Sequence, residues 1–229
     1  MKAAVSFLTT HSDVDPDRIG ALGICASGGY AITAAATDHR VRAVATVSAV
    51  DIGRQFRMGA DGTQDPNIIR DLLDNAAAAR SAEARGESSP GLSLFPDSAE
   101  QALALGGRHG LEGFEYYRTD RARHPRSART FTWPSIDKIA SFDAFGVVDL
   151  IAPRPLLMVV GHEAVTAWMS IAAFQNAQYP KELHWIEGAS HNDLYDIEQY
   201  VRPAVEQLTT FFSHRLRQLS STPAPMAAR

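Results

Sequence analysis

Arg18-Ile-Gly-Ala-Leu-Gly-Ile-Cys-Ala-Ser-Gly-Gly-Tyr30 decides the reading of this chain. An apolar, strand-like run ends in a turn of small residues, and an alanine-rich stretch of helical composition, Ala26 to Asp38, begins at once. A strand-to-helix elbow of this kind exposes a nucleophile on a strained backbone. The residues two before and two after it must be small, so that strand and helix can approach. Gly23 and Ser27 meet that demand around Cys25, the only cysteine of the chain. Cys25 and Gly29 flank Ser27 in the same way, so two registers are open. Cys25 is favoured because it follows the strand directly and leaves Ser27, Gly28 and Gly29 for the first helical turn. A thiol also ionises more readily than a hydroxyl. An inert cysteine at an ordinary turn is the competing reading.

Working outward, Met1 to Thr10 reads as the tail of a helix and Asp13-Val-Asp-Pro-Asp17 as a turn into the strand Arg18 to Ile24. Val41-Arg-Ala-Val-Ala-Thr-Val-Ser48 is a second short buried strand. From about 51 to 141 the periodicity becomes helical and polar, which predicts a helical cap inserted into the sheet domain. Asn67 to Arg85 and Ser98 to Leu105 are its predicted helices, with Glu87-Ser-Ser-Pro-Gly91 as a breaker. Phe114, Tyr116, Tyr117, Phe131 and Trp133 would line an apolar acyl pocket or simply pack.

The sheet pattern resumes at Pro155-Leu-Leu-Met-Val-Val-Gly161, a central parallel strand, and a helix carrying Trp168, Ile171, Ala172 and Gln175 follows. Glu182-Leu-His-Trp-Ile-Glu187 alternates as a strand nearer an edge. The last helix is predicted over Tyr200 to Arg217, with Pro203 in its first turn and Val201, Val205, Leu208 and Phe212 as its buried stripe. Residues 219–229 read as a disordered tail. The fold class is therefore α/β, a parallel sheet of about four recognisable strands covered by helices, within a core domain of residues 1–218.

His191, in Gly188-Ala-Ser-His-Asn-Asp-Leu-Tyr195, falls on a loop after the last predicted strand. There a histidine can reach a nucleophile at a neighbouring strand's end and act as its base. The third member of such a triad would be a carboxylate on the loop after Val160, where Glu163 is the nearest candidate. Asp193 is the substitute, with orienting the loop backbone as its alternative role. His162 has no partner at metal-ligand spacing and reads as a neighbour of the site, so neither metal nor cofactor is expected.

The chain has 229 residues with 45% hydrophobic content, enough for a large core, and its apolar runs break well before membrane-spanning length. Met1-Lys-Ala-Ala-Val-Ser-Phe-Leu followed by Thr9-Thr-His-Ser-Asp13 does not read as a signal sequence. One cysteine excludes an internal disulfide and fits a reducing compartment, so the cytoplasm is expected. A net charge of −4 without a basic stripe argues against nucleic acid as a partner.

Gly23-Ile-Cys-Ala-Ser-Gly-Gly-Tyr30, Thr37-Asp-His-Arg40 and Lys181-Glu-Leu-His-Trp-Ile-Glu-Gly-Ala-Ser-His-Asn-Asp-Leu-Tyr-Asp196 together resemble the α/β-hydrolase superfamily. The likeness is nearest to its dienelactone-hydrolase-like and YcjY-type bacterial members. The resemblance implies nucleophile, acid and base in this order, a thiol nucleophile where the elbow reads Gly-x-Cys, and the backbone N–H of Ala26 as an oxyanion donor. It supports hydrolysis of an ester, thioester or lactone through a covalent acyl-enzyme. The alternatives are acyl transfer by the same residues and a truncated, non-catalytic remnant. Members of the superfamily place several strands and an oxyanion loop before the elbow, whereas 24 residues precede Cys25 here. The expectation is a partial hydrolase fold, from a truncated or mis-started chain or one completed by another chain. The elbow strand would then be a sheet edge through which the chain self-associates.

Overall fold

The computed structural model describes residues 1–127 and 130–218, so the tail expected at 219–229 lies outside the described residues. In chain order the elements are α1 (Lys2–Thr9), β1 (Ile19–Ile24), α2 (Ala26–Ala36), β2 (Val41–Val47), α3 (Ile52–Met58), α4 (Pro66–Ala84) and β3 (Leu92–Ser93). Then come α5 (Ala99–Arg118), β4 (Thr130–Phe131), α6 (Ser135–Ala140), a 3-10 helix (Phe145–Ile151), β5 (Leu156–Gly161), α7 (Ala167–Asn176), β6 (Lys181–Ile186), α8 (Asp193–Asp196) and α9 (Glu198–Gln218). The main sheet has the order β1-β2-β5-β6, and all three pairings are parallel.

Apolar composition places the strands. β2 and β5 are almost wholly buried and occupy the centre, while β6, with its charged and polar residues, is half-buried at one edge. β1 forms the other edge, with Leu22 45% and Ile24 43% exposed. Because side chains alternate across a strand, two cores form. Val44, Leu156 and Met158 face Ile32, Phe145, Ile151 and Met169 on one side. Ala43, Ala45, Val47, Leu157 and Val159 face Leu208 and Phe211 on the other. Registry pairs Ile24 with Val47, Val47 with Val159 and Gly161 with Ile186, so every strand ends along one rim of the sheet.

One expectation is corrected. α9 begins at Glu198, two residues before the expected start, because Tyr200 N–H and Val201 N–H both donate to Ile197 O. Pro203 is therefore inside the helix rather than in its first turn, and the buried stripe shifts in phase to Ala204, Leu208 and Phe211, leaving Val205 50% exposed. The helix expected over Ser98 to Leu105 forms the first half of α5 and is interrupted at Gly107, whose φ 55° and ψ −148° are not helical. A second helical segment, absent from the sequence reading, follows to Arg118 and carries His109, Tyr116 and Tyr117. α4 is anchored to the rest of the cap: Ala76 and Ala79 are buried, and Arg80 pairs with Asp137 on α6 at 2.8 Å.

Candidate active site

The rim holds an elbow at Cys25. Its backbone adopts φ 56° and ψ −129°, a conformation that side-chain-bearing residues rarely occupy. The surroundings fix it: Cys25 N–H donates to Val47 O at 3.0 Å, and Cys25 O accepts from Gly28 N–H at 2.9 Å and Val50 N–H at 3.0 Å. A Cβ at Gly23 would fall 2.2 Å from Ser27 O, and one at Gly28 would fall 2.8 Å from Ala49 Cβ. Only glycines let the strand and helix close this tightly. Ser27, by contrast, is bound to the backbone: its hydroxyl donates to Ile24 O at 2.6 Å and accepts from Ile24 N–H at 2.8 Å.

Cys25 is half-buried. Burial pushes its thiol up, partly offset by the Tyr195 hydroxyl and by the backbone N–H of Ala26, the first residue of α2, which is aimed at the sulfur. Tyr30 and Tyr117 also lie close enough for thiolate charge to raise their phenols, after the larger effect of burial.

His191 is 1% exposed and is held from three sides. Ser48, itself at φ 47° just beyond β2, donates its hydroxyl to His191 O at 3.1 Å. Thr166, at the start of α7, places Oγ1 2.6 Å from Nδ1. Tyr195 places its hydroxyl 2.7 Å from Nε2. Burial drives the imidazole well below its ordinary range, and the neighbouring His109 adds to this, with its ring 4.8 Å away and nearly perpendicular.

The structure does not bring Glu163 to His191. Both Glu163 and His162 are half-exposed, and Glu163 lies 3.4 Å from His162 Nδ1. The chain turns from β5 into α7 so that Thr166, three residues further on, faces inward and takes the place at Nδ1. Asp193 orients the loop: its carboxylate accepts from Ser190 N–H at 3.0 Å. Of the aromatics expected around a pocket, Tyr116 packs on Tyr117 and Tyr195, and Phe131 packs on Phe56. Tyr117 lines a cleft of about 470 Å³ with Phe95, Arg118 and His124.

Thr166, Tyr195 and His109 are absent from the sequence-level site. Only Tyr195 left a signal, standing four residues from His191 before the last helix. His109 reaches the site because α5 resumes after Gly107; its Nδ1 is buried without a hydrogen-bond partner among the described residues. Among those residues, no cluster of three or more His, Cys, Asp or Glu has a metal-binding arrangement, and no helix is long and apolar enough to cross a membrane.

A parallel sheet, a strained elbow at the end of one strand and a histidine loop beyond the last strand define an α/β hydrolase by architecture. The chain belongs to the α/β-hydrolase superfamily: over 219 residues it is 35% identical to the uncharacterized protein YcjY of Escherichia coli K12, covering 94% of this chain and 70% of that protein. It is 30% identical to the uncharacterized protein PA2218 of Pseudomonas aeruginosa over 93% of its own length, but spans only 57% of that relative. The crystal structure of PA2218 superposes with a TM-score of 0.80 and 28% identity, over 93% of this chain and 66% of the other. Two fungal relatives are a thiohydrolase, aneE of Aspergillus aculeatus, at 24% identity over 83% of this chain and 60% of aneE, and an acyltransferase, drtE of Aspergillus calidoustus, at 22% over 93% and 68%. No family model matches the chain.

Proposed function

We propose that this chain cleaves a small-molecule ester, thioester or lactone through a covalent acyl-cysteine on Cys25, with His191 as the base. The observation that carries the reading is the left-handed backbone at Cys25, which costs stability and is kept at a rim where a buried histidine also emerges. Attack by Sγ on the acyl carbon forms the C–S bond and moves the carbonyl electron pair onto oxygen, where Ala26 N–H is the elbow's donor. Collapse expels the leaving group, and His191 then activates water to release the acid. Thr166 replaces a carboxylate in orienting His191, making this a cysteine–histidine pair with a hydroxyl support. The relatives support hydrolase- or acyltransferase-type chemistry. Transfer to an alcohol or amine differs only in the second acceptor, and the acyltransferase relative favours keeping it as the second reading.

Brief exposure to short p-nitrophenyl esters and acyl thioesters, followed by peptide mass spectrometry, should place the acyl group on Cys25. An adduct on Ser27, or a turnover rate unchanged in both Cys25→Ala and His191→Ala, would overturn the assignment.

A further inference from the structure

The hydrogen-bond partner of His191 Nε2 is a phenol rather than the thiol that a cysteine–histidine pair would place there. His191 and Tyr195 are four residues apart across the loop and the short α8, and Tyr195 reaches back to both His191 and Cys25. Its ring is fixed from the other side. Tyr116 on α5 packs edge-on at 5.1 Å, and Arg121 clamps the following turn through two bonds to Asp196, at 2.8 and 2.6 Å. A chance contact would need no such bracing.

We propose, resting on the Cys25–His191 reading above, that Tyr195 is a proton-carrying member of the site, its hydroxyl passing the proton between the Cys25 thiol and His191 Nε2. As Sγ attacks, the thiol proton moves to Tyr195 Oη while Tyr195's own proton moves to Nε2. The C–S bond forms, the S–H bond breaks, His191 becomes imidazolium and Tyr195 ends as the phenol it began. On collapse the same chain runs in reverse and protonates the leaving group. With Nε2 accepting, Nδ1 carries the remaining proton and donates it to Thr166 Oγ1. The groups facing the phenol are Cys25 from the elbow, His191 from the loop, and Tyr116 and Tyr117 from α5. Burial and these neighbours raise its pKa, so no tyrosinate accumulates and the two transfers run together.

The test is the rate of Cys25 alkylation by iodoacetamide across pH, followed by intact mass, which needs no substrate. Tyr195→Phe should slow alkylation at neutral pH at least tenfold, towards the rate of His191→Ala. Alkylation of Tyr195→Phe as fast as wild type, or faster, would overturn the relay. Since loss of the hydroxyl could also disturb packing, 3-fluorotyrosine at position 195 keeps the shape and lowers the phenol pKa. The relay requires the alkylation rate at a fixed neutral pH to change with the acidity of this phenol, and a rate equal to that of the wild type refutes it. An acyl adduct assay run in parallel separates the two ideas. Relay behaviour without any Cys25 acylation would sink the hydrolase reading alone, and normal acylation by Tyr195→Phe would sink the relay alone.

Discussion

Replacing Cys25 by glycine should leave the protein more stable than replacing it by alanine. At φ 56° and ψ −129° a residue carrying Cβ pays strain, typically about 1–3 kcal/mol, that glycine does not. Against this stands glycine's larger loss of backbone freedom on folding, about 0.5–1 kcal/mol. Both variants lose the sulfur, so its burial and its contact with Tyr195 drop out of the comparison. Taking the middle of each range, the difference left is about 1 kcal/mol in favour of glycine, and at about 2–4 °C per kcal/mol for a chain of this size it should be visible as a higher melting temperature. Urea and thermal unfolding followed by circular dichroism on the two variants measure it. Neither variant should form an acyl adduct, so stability and activity separate at one residue. If the glycine variant is instead the weaker by about 1 kcal/mol, the elbow is not strained and the physical case for Cys25 as the presented nucleophile fails.

Thr166→Val removes the hydroxyl bonded to His191 Nδ1 while keeping the side chain's shape, leaving a buried polar atom without that partner. That should cost about 1–3 kcal/mol in denaturant unfolding and slow Cys25 acylation at least tenfold; an unaffected acylation rate would show that His191 needs no orienter. Arg40's hydrogen bonds hold the Asp38 carboxyl down at about 2, from an ordinary 3.8. A depressed carboxyl stabilises above its unfolded pKa and loses that contribution as pH falls through the folded one, so the effect should fade between about pH 4 and pH 2. Because Arg40 is 43% exposed, the neutral-pH contribution is about 1 kcal/mol, and Asp38→Asn should flatten stability over that acid window. At the β1 edge, with Leu22 and Ile24 exposed, sedimentation should show concentration-dependent association that Leu22→Lys weakens. A monomer at every concentration would argue against edge pairing.

Where local pattern and burial coincide, the sequence is a sufficient guide. The apolar run from Pro155 becomes the buried central strand β5, the run Glu182 to Glu187 falls on the edge strand β6, although its burial does not alternate, and the small residues around Cys25 form the strand-to-helix elbow. What escapes it depends on phase or on distance. The start of α9 turned on two hydrogen bonds to Ile197, and which face of that helix packs on the sheet, leaving Val205 in solvent, is a matter of tertiary packing. Gly106-Gly107 looks like a helix stop, yet the second half of α5 resumes and packs its tyrosines over α8. Glu163 satisfied the expectation that an acid follows the strand, but nothing in residue type says which way each side chain of the loop between β5 and α7 will face. A threonine at the start of α7 carries no signal of its own, since most such hydroxyls cap helices, and this one is spent on a histidine 25 residues away.

The electrostatics of the pair explain why intermediaries surround it. Burial raises the Cys25 thiol and lowers the His191 imidazole, so the resting site holds a neutral thiol and a neutral base. A thiolate–imidazolium pair is thereby disfavoured until something else shares its charge. In the proposed reaction a substrate carbonyl does so, because the negative charge that would sit on sulfur develops instead on an oxygen at the start of α2, where Ala26 N–H and the aligned peptides of the helix are already in place. Among the described residues the hydrogen-bond partner at His191 Nδ1 is the Thr166 hydroxyl rather than a carboxylate, so on this reading the positive charge on His191 should be short-lived and discharged by the next proton transfer.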